Sequence, residues 1–244
     1  MSIPRRYMTT MLFSVALALS VGTAAAGQAK DASVADGYKQ PIVTVPYAWT
    51  KPTIDGAIDD AEWQGAVSLQ ALQTTRKQVS ARQARFWMAW DEDHLYLAMR
   101  SPLRPGERPI QNLRRRKRDK NVVFDDSYEI WLDVGATDPK TGLVCFFQFL
   151  SNFAGARLDT MHLPSVGNSR LGYNTGWEPE NRITPDGTAW EWELVVPRES
   201  VLKDEPFRDG FTFRCLLARN FKRPWEQNSE IGRASCRERV CHRV

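Results

Sequence analysis

From Ile42 onward the chain alternates apolar and polar positions in short runs separated by turn residues. Ile42-Val43-Thr44-Val45 predicts a first strand. In Ala84–Trp90, Phe86, Met88 and Trp90 fall on one face at period two, the spacing of a half-buried strand. Asp91-Glu92-Asp93 reads as a tight acidic turn, and His94–Met99 returns with Leu95, Leu97 and Met99 aligned, completing a β-hairpin. Further on, Tyr128, Ile130, Leu132 and Val134 alternate with Glu129, Trp131 and Asp133. Val144–Leu150 is almost continuously apolar, which predicts a strand covered on both faces. Trp190, Trp192, Leu194 and Val196 alternate with Glu191 and Glu193, and Phe211, Phe213, Cys215 and Leu217 with Thr212 and Arg214. No long stretch carries a 3.6-residue period. A short helix at Asp59–Ala66 is the exception, with Asp59 or Asp60 as its cap and acidic residues in its first turn. The pattern predicts an all-β fold, a β-sandwich of antiparallel strands with one or two short helices.

The two ends read differently. Basic Arg5-Arg6, apolar Met11–Leu19 and small Ala24-Ala25-Ala26 follow the order of a secretion signal. Residues 1–26 are therefore expected to be a signal peptide, cleaved after Ala26, and the protein to be periplasmic or secreted. An uncleaved leader would be its route to a membrane. Residues 27–41 are small and polar, a linker, and 42–230 form the domain. From Ile231 the chain turns rich in Arg and Cys without strand alternation. Residues 231–244 read as a tail outside the fold, either a non-native junction, which would leave the domain truncated, or a genuine basic extension.

With 42% hydrophobic and 25% charged residues the composition is globular. The net charge of +4 is concentrated in the leader, in Arg114–Lys120 and in the tail. The basic run lacks interleaved aromatics, so nucleic acid is not expected as a partner. It reads as a solvated loop, or as a grip for anionic sugars. Cys145 and Cys215 lie in apolar runs and are expected to be buried thiols, with a bridge between them left open. No His/Cys cluster has zinc spacing.

Several segments, in order along the chain, resemble the family 9 carbohydrate-binding modules. They are Thr53-Ile54-Asp55-Gly56-Ala57-Ile58-Asp59-Asp60-Ala61-Glu62-Trp63, Met88–Leu97 around Trp90-Asp91, and Asp125-Asp126-Ser127-Tyr128-Glu129-Ile130-Trp131-Leu132-Asp133. A weaker likeness runs from Phe147-Gln148-Phe149 through Gly155 and Asp159, and another covers Trp190–Pro197. The resemblance implies a β-sandwich that is not an enzyme, that takes calcium in some members, and that holds a sugar chain end between aromatic rings. It also implies a gap. The position of one stacking Trp of the family, three residues before the Asp of its D-S-x-E motif, is Val123 here, and the position of its sugar-contacting Arg is Leu150. The second stacking Trp falls where this chain no longer matches.

The candidate carbohydrate-binding residues are Glu129, which the motif retains, Trp131, which shares a face with Glu129 and Asp133, and Trp177, in an amide-rich segment. A pyranose has an apolar face that an indole can cover, while carboxylates and amides take its hydroxyls. Asp125 and Asp126 are the candidate calcium ligands, since hard cations prefer such oxygens; the alternative is that they terminate a loop. A haem held by Met161 and His162 together is excluded, because adjacent strand residues point to opposite faces. No two carboxylates are set at a defined distance across a cleft, so hydrolysis would belong to an attached domain. The expected function is a non-catalytic, glycan-binding module of an exported protein, with a scaffold domain that has lost the sugar clamp as the alternative.

Overall fold

The alternating runs become strands, and their period decides which side chains meet. The computed structural model describes residues 42–70, 72–74, 78–112, 122–166, 172–202, 206–223 and 225–236. The expected signal peptide and linker, the basic run Arg114–Lys120 and residues 237–244 lie outside the described residues.

The strands are β1 (Ile42–Val45), β2 (Val67–Leu69), β3 (Gln73–Thr74), β4 (Arg85–Trp90), β5 (His94–Pro102), β6 (Ser127–Asp133), β7 (Phe146–Asn152), β8 (Arg157–His162), β9 (Glu178–Ile183), β10 (Ala189–Pro197), β11 (Thr212–Lys222) and β12 (Trp225–Cys236). A seven-stranded sheet has the order β1-β12-β11-β6-β7-β8, with β3 on β12, and a five-stranded sheet has the order β2-β4-β5-β10-β9. Among the described strands β1 and β12 pair in parallel and the other ladders are antiparallel. The fold is an all-β sandwich.

The core lies between the sheets. Tyr128, Ile130 and Leu132 of β6, Phe147 and Phe149 of β7, and Phe213, Cys215 and Leu217 of β11 come from one side. Phe86, Met88 and Trp90 of β4, Leu95, Leu97 and Met99 of β5, and Trp190, Trp192, Leu194 and Val196 of β10 come from the other. Each large apolar side chain so buried contributes about 1.5–3 kcal/mol. Cys145 and Cys215 are both buried and unbridged. Arg219 departs from apolar filling. Its guanidinium is fully buried against the rings of Tyr128, Trp190 and Phe221, at 5.3, 4.7 and 4.1 Å from their centroids.

Two expectations are corrected. Asp59–Ala66 is a chain of turns rather than a helix. Trp63 N–H donates to the Asp59 carbonyl and Ala66 N–H to the Trp63 carbonyl, and Asp59 Oδ1 takes the Ala61 amide. One turn cannot repay helix nucleation, and the side-chain bond of Asp59 offers the backbone an alternative. The second correction concerns Ile231–Cys236, expected to lie outside the fold. Its backbone continues β12, with Ile231 opposite Leu216 and Ser235 opposite Thr212, while Arg233–Cys236 run beside Ile42–Val45. Pairing on both sides uses main-chain donors and acceptors that every such residue carries, so it needs no side-chain alternation.

Candidate functional site

The outer face of the seven-stranded sheet carries the polar members of β6, β7, β8 and β11. Glu129 and Trp131 follow each other on β6 at the two-residue period. Gln148 of β7 lies opposite Trp131, and Leu150 opposite Glu129. Thr160 of β8 faces Gln148, and His162 comes next on the same side. Ala218 of β11 faces Glu129, with Asn220 beyond it.

These side chains form one network. Trp131 Nε1 and Gln148 Nε2 both donate to Glu129 Oε1, each at 2.6 Å, and Asn220 Nδ2 donates to Glu129 Oε2 at 2.9 Å. Gln148 Oε1 can only accept, so His162 Nε2, 2.9 Å away, carries the proton of that bond. The His162 imidazole stacks on the Trp131 indole at 4.6 Å between centroids and 25° between planes. Glu129 itself is 4% exposed, whereas Trp131, Gln148 and His162 are partly exposed. The carboxylate therefore fixes the orientation of the indole and the amide, and the partly exposed members of the network are Trp131, Gln148 and His162.

The other expected site residues lie elsewhere. Trp177 is fully buried, edge-on to Phe149 at 5.4 Å, and belongs to the core between the sheets. It cannot serve as an open platform; the polar segment before it suggested a surface loop, but that segment is tied down by Asp159 Oδ2, which accepts the Thr175 amide at 2.6 Å. Asp125 and Asp126 are both buried and hydrogen-bonded. Asp125 Oδ1 accepts the amide and side chain of Asn112, and its Oδ2 accepts Asn152 Nδ2. Asp126 Oδ2 accepts the Ile110 amide and Oδ1 the Lys222 amide. All of these carboxylate oxygens accept from N–H donors, as in a loop anchor. Among the described residues no group of three His, Cys, Asp or Glu side chains gathers as metal ligands.

The Val123 and Leu150 positions are apolar in fact as well as in sequence. Leu150 is 1% exposed and packs with Val122, Ala156 and Leu158, while Val123, next to Val122 in the chain, stands 44% exposed. Beside the amide-and-aromatic part of the face, Leu150 is thus covered by its apolar neighbours.

Two further carboxylates look chemical and are architectural. Glu193 lies on the outer face of the five-stranded sheet. Its Oε2 accepts the amides of Asp55 and Gly56, at 3.1 and 2.9 Å, and its Oε1 accepts Trp63 Nε1 at 2.8 Å. Burial pushes its carboxyl up to about 7, against the pull of these three donors. Trp63 and Ile58 are thereby laid over Trp87, Ala89, Tyr96 and Ala98, closing that face. Asp91 at the β4–β5 turn is likewise buried. Burial pushes its carboxyl up, but Lys51, the Tyr96 hydroxyl and the Asp93 amide outweigh it and hold it below the usual range.

The sequence matches no protein-family model and no curated protein. The structure does have counterparts. A module of family 9 from Caldicellulosiruptor kristjanssonii in complex with cellotriose is 14% identical, with a TM-score of 0.55 over 83% of this chain and 97% of that one. The fold is that of the family 9 carbohydrate-binding modules. The glucose complex of a module of this family from the same organism gives 13% identity and a TM-score of 0.55, covering 82% of this chain and 98% of that one. A candidate carbohydrate-binding protein from Bacteroides uniformis aligns at a TM-score of 0.61 and 11% identity, over 81% of this chain and all of that one. At these identities the likeness concerns the fold, and the residues of the face must speak for the ligand.

Proposed function

We propose that this family 9-like sandwich is a non-catalytic glycan-binding module of an exported protein, with its site on the outer face of the seven-stranded sheet. The observation that carries the reading is the Glu129 network, which presents a partly exposed Trp131, stacked on His162, beside the Gln148 amide. An oriented indole beside an amide is what a pyranose needs: a flat apolar surface and a hydroxyl partner. Trp131, Gln148 and His162 contact the sugar, and Glu129 positions them. The known neighbours in complex with cellotriose and glucose support a neutral glucan as the first ligand to try. Calorimetry against cellotriose tests this. Trp131→Ala should weaken binding about fivefold or more, the worth of one stacking ring; undiminished affinity refutes the site. The order of the N-terminal residues supports export, and an exported product starting near Gly27 by mass spectrometry is the expected result. Attachment to a larger glycan-degrading protein is consistent with this role.

A second reading, a scaffold domain, draws on the exposed apolar side chains of Val123 and Phe124, 44% and 65% exposed. Failure to bind any sugar on a broad glycan array would favour it.

A further inference from the structure

On the other side of the sandwich, the segment that crosses the five-stranded sheet leaves one tryptophan in the open. Trp49 is 59% exposed, whereas Trp63, Trp87, Trp90, Trp177, Trp190 and Trp192 are buried and Trp131 is partly so. Its backbone is nevertheless fixed. Tyr47 bridges to Trp90, and Ala48 N–H donates to the Trp90 carbonyl at 2.7 Å. The Tyr47 ring, whose hydroxyl donates to Glu92 at 2.7 Å, meets the Trp49 indole edge-on at 4.8 Å. A single exposed aromatic needs no explanation by itself. This one borders a cleft of about 270 Å³, whose wall also includes Thr50, Pro52, Glu62 and Gln64. That is near the lower end of ligand-site volumes, room for one sugar ring and not for a folded peptide. Glu62 lines the cleft and takes the Thr53 hydroxyl on Oε1 at 2.7 Å. It also lines an adjoining open depression of about 550 Å³ with Asp55, Asp59 and Asp60. The arginines there, Arg100 and Arg182, are both engaged by Glu191, at 2.7 and 3.1 Å.

We propose that the Trp49 cleft is a second glycan site, taking one neutral hexopyranose ring on the indole, with Glu62, Gln64 and Thr50 on its hydroxyls and the chain continuing over the acidic depression. The carboxylates repel uronates and sulfated sugars, and an amide, a hydroxyl and carboxylates suit neutral hydroxyls. The inference shares with the proposed function only the class of ligand; the site, the sheet and the residues differ.

The test titrates cellotriose, xylotriose and mannotriose into the parent protein, Trp49→Ala, Trp131→Ala and the double variant, by calorimetry and saturation-transfer NMR. Thermal melts check that each is folded, and Trp49→Phe retains a flat ring. The expected result is that Trp131→Ala leaves a binding event that Trp49→Ala weakens about fivefold or more and that Trp49→Phe restores in part. Parent-like binding by Trp49→Ala overturns this inference and, where Trp131→Ala is impaired, leaves the proposed function standing. Loss in Trp49→Ala with none in Trp131→Ala upholds the cleft and overturns the site on the opposite sheet. No binding of any of the three sugars by the parent overturns both.

Discussion

Replacing Gly56 by alanine isolates the contact on which the covered face of the five-stranded sheet depends. Gly56 has φ near +85°, in the left-handed region, where an L-residue with a Cβ costs about 1–2 kcal/mol. A Cβ there would also lie 2.7 Å from the Asn181 nitrogen, 2.8 Å from its Cα and 2.9 Å from its carbonyl carbon. All three are backbone atoms of β9, which cannot rotate aside as a side chain would. The turn or the strand must shift, at a further cost of about 1–3 kcal/mol. Shifting the turn also stretches the Gly56 amide bond to Glu193, 2.9 Å in the native arrangement. The total expected is about 2–5 kcal/mol, enough to lower the melting temperature of a domain this size by roughly 10 °C. Urea denaturation gives the loss directly. Gly106→Ala is the control. Gly106 has φ near +73°, but a Cβ added to it would meet nothing within 4 Å, so only the conformational cost remains. Equal losses in the two variants would refute the argument from close approach.

Other perturbations separate architecture from binding. Because burial raises the Glu193 carboxyl to about 7, the folded protein holds a proton that the unfolded chain releases above about 4.5. Stability should therefore fall as pH rises from 5 to 8, and Glu193→Gln should flatten that slope; a parent midpoint that rises across the window contradicts it. Trp177→Ala empties a fully buried site and should cost about 3–5 kcal/mol by denaturant titration, while the folded fraction binds glycan with unchanged affinity. Val123→Trp places an indole at a position that is 44% exposed, next in the chain to Val122, which packs on Leu150, and calorimetry should find cellotriose bound about fivefold more tightly or better. An unchanged or weaker affinity would mean that this position does not face the sugar.

The sandwich was legible because its inner faces obey a strict two-residue period. Phe86-Met88-Trp90, Tyr128-Ile130-Leu132 and Trp190-Trp192-Leu194 could be assigned to the core without knowing what they meet. Strands without that signature were not. β9, Glu-Pro-Glu-Asn-Arg-Ile, is an edge strand whose place is set by its ladder to β10. β12 owes its place to backbone pairing on both sides. The site was half legible. Glu129 and Trp131 stand out as polar and aromatic groups alternating with core residues. Gln148, His162 and Asn220 come from three other strands, and only the registers of β6 with β7, β7 with β8 and β11 with β6 bring them to Glu129. Trp177 misled because local polarity says nothing of a long-range contact, here the one with Phe149.

The residues that carried the family likeness turn out to have a common physical role. Asp55, Gly56 and Trp63 are gathered by Glu193, from the last of the resembling segments. Asp91 gathers Lys51, Tyr96 and the turn amide of Asp93. Asp125 and Asp126 gather Asn112, Asn152 and the amides of Ile110 and Lys222. Each is a buried carboxylate answering N–H or O–H donors on another segment or turn, and removing such an acceptor leaves buried donors unpaired at about 1–3 kcal/mol apiece. Motifs of this kind report which loops are pinned to which strands. They therefore specify the sandwich and are silent on the ligand, which is met by outer-face positions that the fold leaves free to vary. Glu129 belongs to both sets, being part of the motif and the hub of the outer network. That is why the sequence could name the fold while Val123 and Leu150 already departed from the family's way of holding a sugar.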